Sequence, residues 1–553
     1  MNIIGISCFY HDSAATLVKD GEMVAAVEEE RFTRQKHDNS FPANSVEYCL
    51  ERAELDIEDI DKVVFYEKPI KKFDRILETA AVEFPRGYRF FSEVLPEWLG
   101  TKLRLRKKLR KEIDYTGDVE FMEHHRSHAA SAFYPSPFAE AAILTVDGVG
   151  EWKTNQMFSA DDSGITPLKH IDFPDSLGLL YSAITSYLGF MVNNDEYKVM
   201  GLAAYGEPGY REEFDTLISV NEDGSYSMNQ DFFGYTYSKQ MWGEKMEDLL
   251  GGPRKEGEEL TQRHKDIAAT LQQTLEKVLL KQIDHLYELT DTENLCMAGG
   301  VALNSAANGR IRKEMPFENI WIQPAAGDDG GALGAALERS EADYEMENVY
   351  LGPEYSKAEM RKVLDQSDVS YREKSEDEIT EEVAERLSSG EVIALYHGRL
   401  EWGPRALGNR SILADPRREE MIDTVNGKVK FRESFRPFAP TVLEDQAPKY
   451  FDIEGESPYM LFVFDVEESK KQDIPAVTHV DDTSRIQTLV EDKNPFYYSI
   501  IDRFGEKTGI PIVLNTSFNL KGMPIVNRPE EAVKVLKESG LDAFTTRNFL
   551  VED

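Results

Sequence analysis

Cysteine is scarce: Cys8, Cys49 and Cys296 are the only three in 553 residues. They cannot build a disulfide framework, and no CxxC pair of the zinc-binding kind exists. Three small apolar residues buried in a reducing compartment is the reading they support. Long apolar runs are missing as well. No stretch approaches about 18 uninterrupted apolar residues, so no membrane span is expected. The opening MNIIGISCFYHDSAATLV has no basic leading segment and meets His11 and Asp12 early, so a secretory signal peptide is not expected either. Positive charge is in deficit: 63 Lys and Arg stand against 101 Asp and Glu, a formal charge of -38. A chain this acidic repels polyphosphate at long range, which disfavours a generic nucleic-acid binder. Two phosphate motifs are absent. No GxxxxGK[ST] is present and no GxGxxG opens a helix, so neither P-loop chemistry nor a dinucleotide site is expected. Internal repeats and low-complexity tracts are not evident. These absences together imply a soluble, cytoplasmic protein, and the acidity also fits a salty, halophilic cytoplasm.

What is present is ordinary core material, with 41% hydrophobic and 30% charged residues. The length predicts about three domain-sized units. Asn2 to Ser7 and Ala14 to Val18 read as strands, and Lys19-Asp20-Gly21 as a hairpin turn leading to Met23 to Val27. Residues 44–60, 72–82, 176–190 and 258–287 read as helices. Residues 102–114, KLRLRKKLRKEID, are locally basic and read as a solvated helix face rather than a phosphate patch. Ala141 to Val146, Asn294 to Ala298 and Asn319 to Gln323 read as strands that end in Gly/Asp turns. That is an α/β pattern, with polar turns at strand ends where ligands bind. Residues 338–382 are acidic and poor in apolar runs, and the domain boundary is placed near Tyr350 to Pro353. The predicted division is 1–345, a linker and domain entry at 346–380, and a second α/β unit at 381–553.

Three constellations could carry chemistry. His124 and His128 are four apart in EHHRSHAASAFY, on one helix face. Two imidazoles at that spacing can share a metal, and Asp147 and Asp328 are natural acidic partners; capping or core histidines are the alternative. Such a nitrogen and oxygen set suits Fe(II), Mn or Zn better than calcium. The turns Asp147 to Gly150, Gly299-Gly300 and Gly327 to Gly331 let backbone N–H groups approach an anion or a ribose. Last comes a cation-rich region with Arg399, Arg405, Arg410, Lys428, Lys430, Arg432, Arg436 and Arg485. Arginine forks bind phosphate, so the cluster reads as a site for a small phosphate-bearing ligand; salt bridges to Glu401, Asp415 and Glu433 are the alternative. Asn515 and Ser517 in LNTSFNLKG add donors of the kind that hold an oxyanion.

With these residues named, the chain resembles the NodU/CmcH family of O-carbamoyltransferases along nearly its whole length. The matching stretches are HDSAA (11–15), EEERFTRQKH (28–37), HHRSHAASAF (124–133), EYKVMGLAAYG (196–206), GGVALNS (299–305), GDDGGALGAA (327–336), GPRALGNRSILADPR (403–417), RESFRPFAP (432–440), THVDDTSRIQT (478–488) and NTSFNLKGMPI (515–525). The resemblance implies an actin-like, sugar-kinase-like ATPase (ASKHA) domain, similar to that of tRNA threonylcarbamoylating enzymes, followed by a YrdC-like α/β domain. It implies that the second domain makes carbamoyl-adenylate from carbamoyl phosphate and ATP, with Mg for the ATP. The first would then pass the carbamoyl group to a hydroxyl of a small-molecule or natural-product acceptor. By motif position, His124, His128, Asp147 and Asp328 would hold a divalent metal, Fe(II) by resemblance. Gly178, Gly299, Gly300 and Asn304 would hold the nucleoside. Arg405, Lys430, Arg436, Arg485, Asn515 and Ser517 would bind carbamoyl phosphate or ATP phosphates. His11 would orient or deprotonate the acceptor hydroxyl, with Asp12 as orienter and Lys36 as an acceptor contact; a turn-closing role serves Asp12 equally. No nucleic acid and no membrane are implied as partners, and a homodimer is compatible. A tRNA-modifying enzyme and a non-catalytic nucleotide-binding regulator are the competing readings.

Overall fold

The computed structural model describes residues 1–100, 104–340, 344–433 and 435–553. Lys102 and Leu103 of the basic segment and Ser434 of the RESFRPFAP motif lie outside the described residues. Two compact units divide the chain: Met1–Glu29 with Asn39–Met346, and Glu30–Asp38 with Glu347–Asp553.

The first unit contains two five-stranded sheets. One holds β1 (Asn2–Ser7), β2 (Ala14–Lys19), β3 (Glu22–Glu28), β4 (Lys62–Phe65) and β5 (Asp118–Phe121), in the order β3-β2-β1-β4-β5. β1 runs antiparallel to β2, with Ile6 opposite Ala15, and parallel to β4, with Gly5 opposite Val64. Paired on both edges, β1 is apolar on both faces, as a central strand must be. The other sheet holds β6 (Ala141–Val146), β7 (Lys153–Asp161) and β8 (Gly164–Asp172). The short ribbon of β9 (Ile218–Val220) and β10 (Tyr226–Met228) then precedes β11 (Asn294–Ala298) and β12 (Asn319–Trp321), which complete the sheet in the order β12-β11-β6-β7-β8. In each sheet a first strand has an antiparallel hairpin on one side and two parallel strands on the other. The unit is therefore a structural duplication, in keeping with the actin-like expectation, although no repeat is evident in the sequence. Strand identity requires only an apolar pattern, so the two copies need share no residues.

Helix Asp328–Leu337 is buried at every position and packs on β1, β2 and helix His124–Phe133. Only small residues allow this. A Cβ at Gly334 would come within 1.8 Å of the Ser127 carbonyl oxygen. The helix of the basic segment, Leu105–Glu112, buries Leu105 and Leu109 and leaves Arg106 and Lys107 exposed, as a solvated face should. Among the described residues, no helix is long and apolar enough to cross a membrane.

The second unit is built on an eight-stranded mixed sheet. Its strands are β13 (Ser370–Glu373), β14 (Ile393–Tyr396), β15 (Arg410–Ala414), β16 (Ala439–Leu443), β19 (Gln487–Leu489), β20 (Ile512–Ser517), β21 (Ala543–Thr545) and β22 (Phe549–Glu552). Their order is β13-β22-β21-β14-β15-β20-β16-β19, and a two-stranded ribbon pairs β17 (Phe464–Asp465) with β18 (Thr483–Ser484). Alternate side chains feed two cores: Ala394, Tyr396 and Ile412 one, Ile393, Leu395 and Leu413 the other. Residues 346–380 contribute β13 and helix Lys357–Gln366 to this unit, and helix Glu376–Ser388 begins there too. Both helices start at capping boxes, Ser356 with Glu359 and Ser375 with Glu378.

The N-terminal segment Glu30–Asp38 also packs in the second unit. Arg31 donates to the Gly403 carbonyl at 2.9 Å. Arg34 donates to the carbonyls of Ile525 at 2.9 Å and Pro524 at 2.8 Å and pairs with Glu531 at 3.2 Å.

Candidate functional site

In the first unit, polar residues gather at the carboxyl ends of parallel strands from both sheets, where turns leave backbone groups free for ligands. His11 follows β1, the helix carrying His124 and His128 follows β5, and Asp147 follows β6. Gly299 and Gly300 follow β11, and Asp328 opens the helix after β12, where the helix dipole favours a carboxylate.

The four residues assigned to a metal converge. His124 Nε2 lies 2.7 Å from Asp147 Oδ2 and 3.1 Å from His128 Nε2. His128 Nε2 lies 3.4 Å from both Asp147 Oδ2 and Asp328 Oδ1. One ligand atom from each of the four falls within 4.8 Å of all the others, and all four residues are buried. Asp328 Oδ1 is buried and accepts no hydrogen bond from the protein. Two imidazoles and two carboxylates aimed at one point match the donor set of a divalent transition metal. Burial alone would lower His128 and raise Asp147. The contact between the two groups wins in both: Asp147 and Asp328 bring His128 up to about 9, and His124 and His128 hold Asp147 well below its ordinary range. His125, between the two ligands in sequence, is turned elsewhere. Its ring nitrogens meet Thr145 Oγ1 at 2.7 Å and the Lys153 carbonyl at 2.9 Å.

His11 sits beside this cluster. Its Nδ1 is 3.0 Å from Asp12 Oδ2 and its Nε2 is 3.8 Å from Asp328 Oδ2. Burial would lower its pKa, but Asp328 and then Asp12 raise it to about 10. Lys36 is half-buried in the segment that belongs to the second unit. The Gly300 N–H donates to Asp147 Oδ1 at 3.2 Å, joining the glycine turn to the cluster. Gly178 sits where helix Leu177–Tyr187 starts against the same turn; a Cβ there would lie 2.5 Å from the Asp147 carbonyl oxygen. Asn304 caps helix Ser305–Glu314 and exchanges two 3.0 Å hydrogen bonds with Gln272.

Three further residues escaped the reading of the sequence. Glu151 accepts the His124 N–H at 3.1 Å and anchors the start of the ligand-bearing helix. Tyr66 donates to Asp328 Oδ2 at 3.4 Å. Asp329 is buried, and burial, then Asp12 and Glu28, push its carboxyl well above its ordinary range. Glu151 was detectable, since it follows the Asp147 turn directly, whereas Tyr66 and Asp329 sit in apolar and glycine-rich surroundings that carry no such signal.

The cations of the second unit fall into two groups. Arg399, Arg410 and Lys428 are spent on structure. Arg399 donates to the Gly352 carbonyl at 3.2 Å, Arg410 to the His397 carbonyl at 2.6 Å, and Lys428 pairs with Asp542 at 3.3 Å. Arg405, Lys430, Arg432, Arg436 and Arg485 instead crowd together. Burial, then Arg405, Arg432 and Arg436, push Arg485 well below its ordinary value; burial, then Arg432 and Arg436, do the same to Lys430. Among the described residues no carboxylate forms an ion pair with Arg485 or Lys430, and Glu433 lies 3.7 Å from Arg436. Of the other acids proposed as partners, Asp415 pairs with Arg417, and Glu401 accepts the backbone N–H groups of Leu407, Asn409 and Arg410 at 2.7–3.0 Å, shaping the loop that carries Arg405. Lys430 ends a π-helical turn, Asn426–Lys430, a distortion frequent at functional sites. Its Nζ donates to Ser517 Oγ at 3.1 Å and to Asn519 Oδ1 at 2.7 Å. Asn515 is buried beneath, donating to Thr441 Oγ1 at 3.0 Å and to the Ala406 carbonyl at 3.2 Å, while its Oδ1 has no protein donor.

A family model described as carbamoyltransferase N-terminus matches residues 2–337, and one described as carbamoyltransferase C-terminus matches residues 384–553. An uncharacterised protein of Synechocystis is 46% identical across 100% of this chain and 96% of its own length. Nodulation protein NolNO of Sinorhizobium fredii is 38% identical across 98% of this chain and 79% of its own. Among solved structures, component A of the (R)-2-hydroxyglutaryl-CoA dehydratase of Acidaminococcus fermentans is 17% identical, with a TM-score of 0.34, covering 61% of this chain and 97% of that one. With both family models matched in order and relatives aligned over 98–100% of this chain, the chain belongs to the carbamoyltransferase family and is a carbamoyltransferase.

Proposed function

We propose that the protein is an ATP-dependent O-carbamoyltransferase that charges carbamate with AMP in its second, YrdC-like unit and passes it to an acceptor hydroxyl in its first. One observation carries this reading: five cationic side chains crowd together in the second unit, and among the described residues no carboxylate forms an ion pair with the two whose charge is most strongly disfavoured. Like charges packed this closely, with Lys430 among them buried, are costly unless an anion joins them. Carbamoyl phosphate and the ATP triphosphate are multiply charged anions that must be held side by side, and guanidinium forks suit both.

Atom balance sets the sequence of bonds. Carbamoyl phosphate loses its phosphate to water, and the carbamate oxygen attacks the α-phosphorus of ATP as the bond to pyrophosphate breaks. The Arg and Lys donors stabilise the charge that builds on the phosphate oxygens. In the first unit the acceptor oxygen attacks the carbamoyl carbon, the bond to AMP breaks, and the hydroxyl proton passes to His11, held by Asp12. His124, His128, Asp147 and Asp328 would hold a divalent metal, Fe(II) by resemblance. When bound there, the metal would supply positive charge to a phosphate oxygen and cancel the Asp328 attraction that keeps His11 protonated.

Pyrophosphate release from ATP tests the reading. It should require carbamoyl phosphate, and adding a host metabolite extract should yield a product heavier by one carbamoyl group. ATP binding with no pyrophosphate release, whatever is added, would instead describe a regulator, and product appearing on tRNA would describe a modification enzyme.

A further inference from the structure

Helix Pro69–Val82 of the first unit is inverted relative to an ordinary surface helix. Its buried residues are Pro69, Lys72 and Arg75, while Ile70 is 71% exposed, Leu77 41% and Val82 82%. Apolar side chains normally take the inward face and cations the outward one. Lys72 is accounted for: its Nζ meets Glu67 Oε2 at 2.5 Å and lies 4.8 Å from the centre of the Tyr10 ring. Arg75, one turn further on the same face, is not. It is only 8% exposed and, among the described residues, its Nη1 is buried with no acceptor and its guanidinium forms no ion pair. Its Cζ lies over the face of the Phe173 ring, 5.0 Å from the ring centre. Tyr10, Glu67 and Glu151 are close enough to act on its charge, yet none accepts a hydrogen bond from it.

The position of this side chain says what it is for. The Tyr10 ring is 4.5 Å from the His11 ring, and His11 Nε2 is 3.8 Å from Asp328 in the metal cluster. Arg75 lies against the Phe173 ring and close enough to Tyr10 for the two to act on each other's charge, which puts it near the residue that precedes His11. A guanidinium nitrogen such as Nη1, withdrawn from water with no acceptor among the described residues, weakens the fold unless a ligand supplies an oxygen atom to it. We propose that Arg75 grips an anionic oxygen group, a carboxylate or phosphate, on the acceptor, and so restricts the acceptors of this enzyme to hydroxyl compounds that also carry negative charge. This assignment rests on the carbamoyl-transfer reading for the word acceptor, but not on adenylation.

The test compares glucuronate and glucose 6-phosphate with glucose, titrated calorimetrically into the full-length protein, wild type and Arg75→Met. A charge-assisted contact should make at least one of the two anionic sugars bind the wild type about tenfold or more tightly than glucose. Arg75→Met should abolish that preference, Arg75→Lys should keep part of it, and the melting midpoint of Arg75→Met should be no lower than that of the wild type. Equal binding of all three sugars, or binding of none, would overturn the proposal. So would a marked fall in the midpoint of Arg75→Met, since Arg75 would then be bracing the fold. Displacement of the bound anionic sugar by AMP would place the anion on the nucleotide and overturn the acceptor assignment. Pyrophosphate release by the unaltered protein is scored separately, so its failure would remove the adenylation reading and leave the anion preference standing or falling alone.

Discussion

Arg485 and Arg75 present a similar physical problem in two different units, a guanidinium with a buried nitrogen that no carboxylate among the described residues accepts from. For Arg485 the neighbouring cations make the case sharper, and its replacement is informative. Arg485→Met should reduce pyrophosphate release roughly 10²–10³-fold, the usual loss on removing one preorganised donor to a developing charge. Its melting midpoint should not fall, because an uncompensated charge has been removed; unchanged pyrophosphate release would take Arg485 out of the phosphate site. The histidine helix offers a matched pair. His128→Ala should lose bound metal by about tenfold or more, measured as metal per chain, because a direct ligand has gone. His125→Ala should keep its metal and instead destabilise by about 1 kcal/mol, the usual net loss of a hydrogen bond, since Thr145 and the Lys153 carbonyl lose His125 but keep other partners. The spacing of His124 and His128 made their convergence readable from the sequence. Arg75 was not readable, because nothing in PIKKFDRILETAAV distinguishes a cation facing inward from one facing solvent.

At the scale of elements, the candidate metal ligands His124, His128 and Asp328 sit on two helices packed almost backbone to backbone. Gly334→Ala would drive a methyl group into the Ser127 carbonyl, one residue before His128. The expected cost is about 1–3 kcal/mol of stability, the range for overpacking a tight contact. Weaker metal binding should accompany it, since the helices carrying His128 and Asp328 would have to separate. Calorimetric unfolding and metal content would check both, and full metal occupancy at reduced stability would mean that the ligands tolerate the shift. Strands in this protein were largely legible. β1, β6 and β11 are mostly apolar runs ending in polar turns, whereas the capping boxes of Ser356 with Glu359 and Ser375 with Glu378 go unread in an acidic stretch that reads as a linker. The duplicated sheet was not legible, because its likeness lies in strand order and direction, which no residue type records. Nor was the packing of Glu30–Asp38 in the second unit, since Arg31 and Arg34 reach mainly backbone carbonyls, and those look alike at every position.

For the whole molecule, the formal charge of -38 opposes the capture of the anions that the Arg405, Lys430, Arg432, Arg436 and Arg485 group is suited to hold. Far from the protein the net charge dominates, while close in the cations do. Screening lengths shrink from about 30 Å at 0.01 M salt to about 10 Å at 0.1 M, which removes the distant repulsion first. The apparent kcat/KM for ATP should therefore rise as salt increases over that range, before higher salt weakens the local contacts. A steady decline from the lowest salt onward would mean that the local cations already govern capture at long range.

The placement of residues 30–38 has a consequence for how this chain can be taken apart. A gene cut near codon 346 would deliver a C-terminal fragment missing the strap that Arg31 and Arg34 fasten to it, and an N-terminal fragment trailing an orphaned loop. The halves are thus not interchangeable cassettes, and any swap between relatives would have to carry that short stretch along with the distant partner it serves.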